Sequence, residues 1–388
     1  MYPKVLLRKE SAVSILQGHP WIFSKGIQGH SKLEDGDLCE VHTESKFVGI
    51  GYWDSKTDIS VRILTRTLEP IDEAFFFKRL TALKAEKERF LENSTNAYRV
   101  VFGESDGIPG LIADLYDNVL VVQFHTWGMR RMKTEILNAL VKVYSPKCIY
   151  EKSSEHTQKK EGFEVEEQLV YGTATEEVEI VENGFKFLVN IPKGQKTGFF
   201  LDQRQNRNSV IRFVKGLNML NAFAYTGGFS VYAASVAKKV TTLDISKGAV
   251  EAAKKNFEIN GFDPNKHEFV AEDAFEYLKK IKPGQFDCIL LDPPSFAHRK
   301  LQVPNAIKAY ISINTAALKA LPKGGILISS SCTAHIDEPT FIDILYQSAS
   351  HARCTLKVLY GALQPPDHPY NLAFPEGRYL KFFVLLKD

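Results

Sequence analysis

Paired cysteines are missing from this sequence. The five that are present (Cys39, Cys148, Cys288, Cys332 and Cys354) are an odd number, stand far apart and contain no C-x-x-C pair. A disulfide framework and a zinc site are therefore not indicated, no metal is expected, and each thiol reads as free in a reducing compartment. Long apolar runs are missing too: no stretch approaches the roughly 18–20 residues of a membrane span, and Lys4, Arg8 and Lys9 are not followed by the apolar core of a signal peptide. These absences predict a cytoplasmic protein with no membrane partner. Charge of one sign is also scarce, since 49 Lys and Arg against 46 Asp and Glu leave only +3, too little to imply a polyanion partner from bulk charge. The last absence is local. Where a dinucleotide fold carries Gly-x-Gly-x-x-Gly to cradle a pyrophosphate, Tyr225–Ser230 has only Gly227-Gly228.

The stretch around those glycines organises the chain. Leu217–Asp244 reads as an apolar strand (Met219 to Phe223), a turn (Tyr225-Thr226-Gly227-Gly228), a small-residue helix (Phe229 to Ala237) and a second apolar strand ending on Asp244. A Gly turn allows close approach of backbone N–H groups to a ligand, and a carboxylate at the next strand end can take two ribose hydroxyls. S-adenosylmethionine carries adenosine without phosphate and fits such a turn; an ordinary Gly turn in an α/β domain is the structural alternative. Alternation continues through helix Lys247–Asn260, strand Glu268–Ala271, Asp273 (where an acid can bond an adenine amino group) and helix Ala274–Ile281. This predicts a doubly wound, Rossmann-like sheet.

Two later strands end on chemistry. Phe286–Phe296 stops at Asp292-Pro293-Pro294, with Phe296 close behind. The prolines end the strand at the edge where an open α/β sheet binds substrate, so a flat base can stack on Phe296 while Asp292 or the Pro carbonyls bond its edge. Alone, that pattern suits methylation of an exocyclic amino group. The next strand, Gly324–Cys332, ends on a cysteine. C5 of a pyrimidine becomes nucleophilic when a thiolate adds to C6, so Cys332 is the candidate nucleophile, with a small buried residue as the bland alternative.

Upstream, residues 1–70 alternate short β-like runs with turns and predict a small β-barrel, in which Trp21 and Phe23 serve equally well as core residues. Ile71–Leu91, with Phe75, Leu80, Leu83 and Phe90 among charged residues, predicts an exposed connecting helix, and the remainder of 71–190 a small α+β unit. Charge is uneven: Glu161–Glu182 holds eight glutamates and no Lys or Arg, whereas Lys193–Lys215 holds six basic residues against Asp202 alone. A basic segment of that kind is expected where phosphates are contacted.

GHPWIFSKGI (Gly18–Ile27) resembles the RNA-binding PUA domain. Together LNAFAYTGGFS, TTLDIS, DPPSF, SSSCT, QKTGFFLDQR and DHPYNLAFPEGRYLK resemble the PUA-containing cytosine-5 methyltransferases of large-subunit (23S) ribosomal RNA, over nearly the whole chain. The resemblance implies a PUA-like domain (1–70), a central α+β domain (71–190) and a Rossmann-like methyltransferase domain (191–388), often paired as homodimers. It implies Cys332 as nucleophile, with Asp292 orienting the cytosine and Pro293, Pro294 and Phe296 lining the base. For the cofactor it implies Thr197, Phe200 and Arg204 from the QKTGFFLDQR entry, Asn221, Phe223, Tyr225, Thr226, Gly227 and Gly228 from the first strand and turn, and Asp244, Ile245, Asp273, Ala274 and Asp292 from the following strand ends. Gln158, where the family often has a basic residue, and the Ser/Thr flanks of Cys332 depart from the pattern and bear on the target nucleotide more than on the chemistry. An N-methyltransferase acting on a purine amino group and a non-catalytic RNA-binding protein remain as alternatives. Cys332 separates the first of these from the C5 reading.

Overall fold

The structure is a computed structural model that describes residues 2–91, 94–153, 167–297 and 299–388. Gln158 and residues 161–166 of the acidic stretch lie outside the described residues. Chain contacts divide into two units.

The first unit comprises Met1–Ile180, Val189–Leu201 and Pro366–Gly377. Its six-stranded sheet uses β1 (Lys4–Leu7), β2 (Trp21–Phe23), β3 (Ile27–His30), β4 (Leu38–His42), β5 (Phe47–Trp53) and β6 (Ile59–Thr65), in the order β2-β6-β5-β4-β1-β3. Short helix α1 (Ala12–Leu16) lies between β1 and β2. A five-stranded sheet follows, ordered β11-β10-β9-β8-β7, from β7 (Ala97–Phe102), β8 (Leu111–Tyr116), β9 (Val119–Phe124), β10 (Cys148–Glu151) and β11 (Gln168–Gly172).

Helix α2 (Glu73–Glu88) is capped by Asp72, whose side chain accepts from the Phe75 N–H, as an N-terminal carboxylate should. The expectation of an exposed connecting helix is corrected here. Phe75, Phe76, Leu80 and Leu83 form one buried stripe in a core that also contains Ile50, Tyr52 and Leu64 from the first sheet and Val100, Ala113 and Val122 from the second. Ile50, Tyr52 and Leu64 of the expected first domain therefore share a core with residues of the expected second, while Val5, Val41 and Val61 belong to a separate core within the first sheet. Phe90, beyond the helix end, is exposed. Helices α3 (Trp127–Arg131) and α4 (Lys133–Tyr144) complete the layer.

The C-terminal domain expected from residue 191 is also interrupted. Segment Pro366–Gly377 returns to the first unit, where Phe374 packs edge-on against Trp21 with ring centroids 4.7 Å apart. Buried Lys87 donates to the Asp106 carboxylate at 2.7 Å and to the Asp367 carbonyl at 2.9 Å, while the Asp367 carboxylate accepts from the Arg99 N–H at 3.0 Å.

The second unit comprises Val181–Leu188, Asp202–Pro365 and Arg378–Asp388. Its first segment comes from the hairpin of β12 (Glu177–Glu182) and β13 (Phe185–Asn190). Its sheet has the order β16-β15-β14-β17-β18-β20-β19, built from β14 (Asn218–Ala222), β15 (Lys239–Asp244), β16 (Glu268–Ala271), β17 (Cys288–Leu291), β18 (Ile326–Ser331), β19 (Leu356–Ala362) and β20 (Lys381–Lys387). The first five strands pair in parallel, and β20 runs antiparallel between β18 and β19. Helices α5 (Arg204–Val214), α6 (Gly228–Ala234), α7 (Lys247–Ile259), α8 (Ala274–Lys280), α9 (Val303–Ala320) and α10 (Glu338–Ala352) connect them. This is the expected Rossmann-like sheet.

Strand order reverses between β14 and β17, which opens the ligand crevice of a doubly wound sheet at their carboxyl ends. Parallel strands buried on both faces need near-continuous apolar sequence, and Cys288–Leu291 is buried throughout. Beside the sheet, the Arg207 guanidinium forks onto the Glu182 carboxylate at 2.7 and 2.6 Å, with both side chains buried and the Tyr232 hydroxyl 2.9 Å from the same carboxylate.

Candidate active site

Register places the expected residues along one edge. Leu243, Ala222, Leu291 and Ser329 lie in one row across β15, β14, β17 and β18. Asp244 and Asp292 are each one residue beyond that row, and Cys332 is three beyond. The chain thus gathers two carboxylates and a thiol at the carboxyl ends of adjacent parallel strands.

The turn after β14 is strained in a way the sequence does not announce. Phe223, Tyr225 and Gly227 all have positive φ, at 61°, 48° and 79°. Left-handed non-glycine residues cost about 1–3 kcal/mol each and persist where their surroundings hold them. The holder here is Asp244: its carboxylate accepts from the Tyr225 N–H at 2.8 Å and from the Ser246 N–H at 2.9 Å. Ile245 beside it is exposed and offers an apolar face.

Gly227 is required for packing as well as for its φ, because an added Cβ would stand 2.8 Å from the Ala253 Cβ on α7. Gly228 opens α6 and is buried. The Thr226 hydroxyl is buried and has no hydrogen-bond partner among the described residues, while its carbonyl accepts from Asn256 at 2.9 Å. Asn221 is buried under the turn, donating to Ser230 at 2.9 Å, so it supports the helix start. Asp273 is the N-cap of α8, accepting from the Glu276 N–H at 3.0 Å, and Ala274 behind it is buried. Phe223 packs edge-on to Phe275 at 6.4 Å. Half-buried Asp244, the close-packed glycine and the exposed apolar neighbour suit an adenosine without a phosphate cradle.

The QKTGFFLDQR entry divides between the two units. Thr197 and Phe200 belong to the first, where the buried Thr197 hydroxyl donates to Asp114 at 2.7 Å and Lys196 sits 4.8 Å over the Phe200 ring. Arg204 belongs to the second and is buried at the start of α5.

Sequence reasoning missed Gln203. Its amide N–H groups donate to Asp292 Oδ1 at 3.0 Å and to Ser330 Oγ at 2.9 Å, and its carbonyl oxygen accepts from Asn206 at 2.6 Å. Gln203 therefore fixes the Asp292 carboxylate against β18. Nothing but its place inside the quoted entry motif could have marked it.

Cys332 is half-buried just past β18, between two anchored residues. Thr333 exchanges hydroxyl contacts with Tyr310 at 3.0 Å and Ser295 at 3.3 Å, and its N–H reaches Ser331 Oγ at 3.3 Å. Phe296 packs 4.7 Å from Tyr310 and Pro293 is buried, whereas Pro294 is exposed. Burial pushes the Cys288 and Cys39 thiols up, the latter to about 12, so neither is a nucleophile. Among the described residues no cluster of His, Cys, Asp or Glu could hold a metal ion, and no helix is long and apolar enough to cross a membrane.

A Rossmann-like sheet with this turn and strand-end carboxylate defines the class of S-adenosylmethionine-dependent methyltransferases, and the family model of that description matches residues 147–373, while a PUA-like domain matches 5–66. Comparison with known proteins narrows this. Ribosomal RNA large subunit methyltransferase I of Aeromonas hydrophila is 39% identical over 99% of both chains, and that of Vibrio cholerae 37% over 99% of both. Among solved structures, a SAM-dependent methyltransferase from Streptococcus mutans superposes with a TM-score of 0.85 at 25% identity over 99% of this chain and 100% of that one, and a methyltransferase complexed with SAH gives 0.86 at 25% over the same shares. The chain belongs to the ribosomal RNA large subunit methyltransferase I family.

Proposed function

We propose that this chain methylates C5 of a cytosine in large-subunit ribosomal RNA through a covalent bond from Cys332 to C6. The observation that carries the proposal is Cys332 itself, held beside the Asp292 strand end by anchored neighbours on both sides. Bound at the β14 turn, S-adenosylmethionine supplies an electrophilic methyl group. The Cys332 thiolate adds to C6, the C5=C6 electron pair moves to C5, and C5 takes the methyl as the sulfonium S–CH3 bond breaks and S-adenosylhomocysteine leaves. Transfer of the C5 proton to water then re-forms the double bond and expels the thiolate. Asp292, fixed by Gln203, orients the base edge, with the Pro294 carbonyl and the Phe296 ring alongside. Asp244, Ile245 and the turn hold the adenosine.

The ribosomal RNA substrate is supported by the names of the relatives and by the PUA-like match. A homodimer follows only from the resemblance and belongs to the same proposal, checked by light scattering of the eluting protein.

The decisive experiment uses large-subunit ribosomal RNA carrying 5-fluorocytosine. With no C5 proton to lose, the thioether should persist as a denaturant-stable adduct, absent in Cys332→Ala. Cys332→Ala should lose methyl transfer and keep S-adenosylhomocysteine affinity within about twofold, because the sulfur is asked to attack the base and not to hold the cofactor. Substantial activity in Cys332→Ala would replace this reading with methylation of an exocyclic amino group.

A further inference from the structure

Strand β20 begins with a lysine in an otherwise apolar run, KFFVLL, and that lysine is buried. In the antiparallel ladder Lys381 stands opposite Ser331, the residue before Cys332. Its Nζ donates to the Thr333 carbonyl at 2.8 Å and to the Tyr379 carbonyl at 2.7 Å, and it forms no ion pair among the described residues. A buried ammonium without a carboxylate is costly, and carbonyl dipoles offset only part of its desolvation. Something else must balance it.

Burial pulls the Lys381 ammonium down to about 8, and Cys332 is the strongest of the charges acting to raise it again. Coupling between two titrating groups is reciprocal: a thiolate that favours the ammonium is favoured by it to the same degree. Among the described residues, the other titratable or charged groups acting on the pair include Asp337 and Glu338 at the start of α10, Arg378 ahead of β20, and Tyr310 and Asp292 on the Cys332 side. Glu338 is engaged by Arg378, and Asp337 caps α10 by accepting from the Thr340 N–H at 2.9 Å. Burial holds the Tyr310 phenol well above its usual range, so it stays neutral.

We propose that Lys381 is a positioning residue for the methyl-transfer site, holding a buried positive charge against Cys332 so that the sulfur is kept as thiolate. This rests on the reading of Cys332 as nucleophile, but its test does not need methyl transfer.

The full-length protein without RNA is alkylated with iodoacetamide between pH 5.5 and 9.5, and modification of Cys332 is followed by peptide mass spectrometry. In the unaltered protein the half-point for Cys332 should lie below the roughly 8.5 of a free cysteine. Lys381→Met should slow alkylation at pH 7 about tenfold, the effect of one pKa unit, and Lys381→Arg should restore most of it. A half-point at or above 8.5 in the unaltered protein overturns the proposal even if Lys381→Met does not fold. An unchanged rate in a folded Lys381→Met overturns it as well. Should Cys332→Ala remain active while the alkylation results hold, the nucleophile reading fails and the electrostatic pairing stands.

Discussion

Replacing Asp244 tests whether the β14 turn is an adenosine site or only a tight corner. Its carboxylate already accepts two backbone N–H groups, from Tyr225 at 2.8 Å and Ser246 at 2.9 Å. If it also accepts the ribose hydroxyls, Asp244→Ala removes a charge-assisted interaction with the ligand of about 1.5–3 kcal/mol. That corresponds to roughly 10- to 150-fold in Kd. A second contribution comes from the backbone: Tyr225 at φ 48° loses the acceptor that holds it, and a left-handed non-glycine residue releases about 1–3 kcal/mol when it relaxes. The free protein would then have to rebuild the turn on binding, so the observed loss should fall in the upper part of the range. Asp244→Asn keeps one acceptor for the turn and should lie between the two. Titration calorimetry with S-adenosylhomocysteine measures the affinity, and a thermal unfolding scan of the same samples confirms that they are folded. A folded Asp244→Ala protein that binds within twofold of the parent would refute the site; lower stability with unchanged affinity would leave Asp244 as a support for the turn alone.

Two predictions concern stability. Glu182→Gln leaves the buried Arg207 guanidinium without its counter-charge and should lower unfolding free energy by about 3–5 kcal/mol in urea titrations, whereas a loss below about 1 kcal/mol would show that the pair is not desolvated as described. Asp54 is held below the usual carboxylate range: burial pushes it up, but the Lys56 N–H and the Arg62 guanidinium outweigh that. The depressed value means that its contribution is fully present above pH ~3.9 and is lost as pH falls through the folded value, so Asp54→Asn should flatten the acid limb of stability measured from pH 5 to 2. An acid limb of unchanged slope would count against the ion pair.

The sheet of the second unit was legible because parallel strands must be apolar and must stop at turn chemistry: Gly227, Asp244, Asp292 and Cys332 each mark a strand end in the text itself. What was not legible depends on contacts distant in sequence. Gln203 acquires meaning only when β17 and β18 bring Asp292 and Ser330 within reach of one amide, 89 and 127 residues away. Lys381 had a faint signal, a single cation leading an apolar strand, but its partner carbonyl belongs to a residue 48 positions earlier. The expected exposed helix at 71–91 was misjudged because its charged residues were counted without Phe76, which completes the apolar stripe. Asp273 illustrates the converse: its strand-end position was visible, while its use as a helix cap required the backbone of α8.

The return of Pro366–Gly377 to the first unit has a consequence for how the protein is made. Lys87 and the Asp367 carbonyl it binds are 280 residues apart, so at about 5–20 residues per second the ribosome needs roughly 14–56 s to deliver the second after the first. Until then Lys87, which ends up almost wholly enclosed, has Asp106 but not its main-chain acceptor, and the Trp21 ring lacks Phe374. The amino-terminal half therefore cannot finish folding as it emerges; it waits until Pro366–Gly377 has been made, and any nascent chain released before residue 366 carries an unfinished first unit however much of its sequence is already complete.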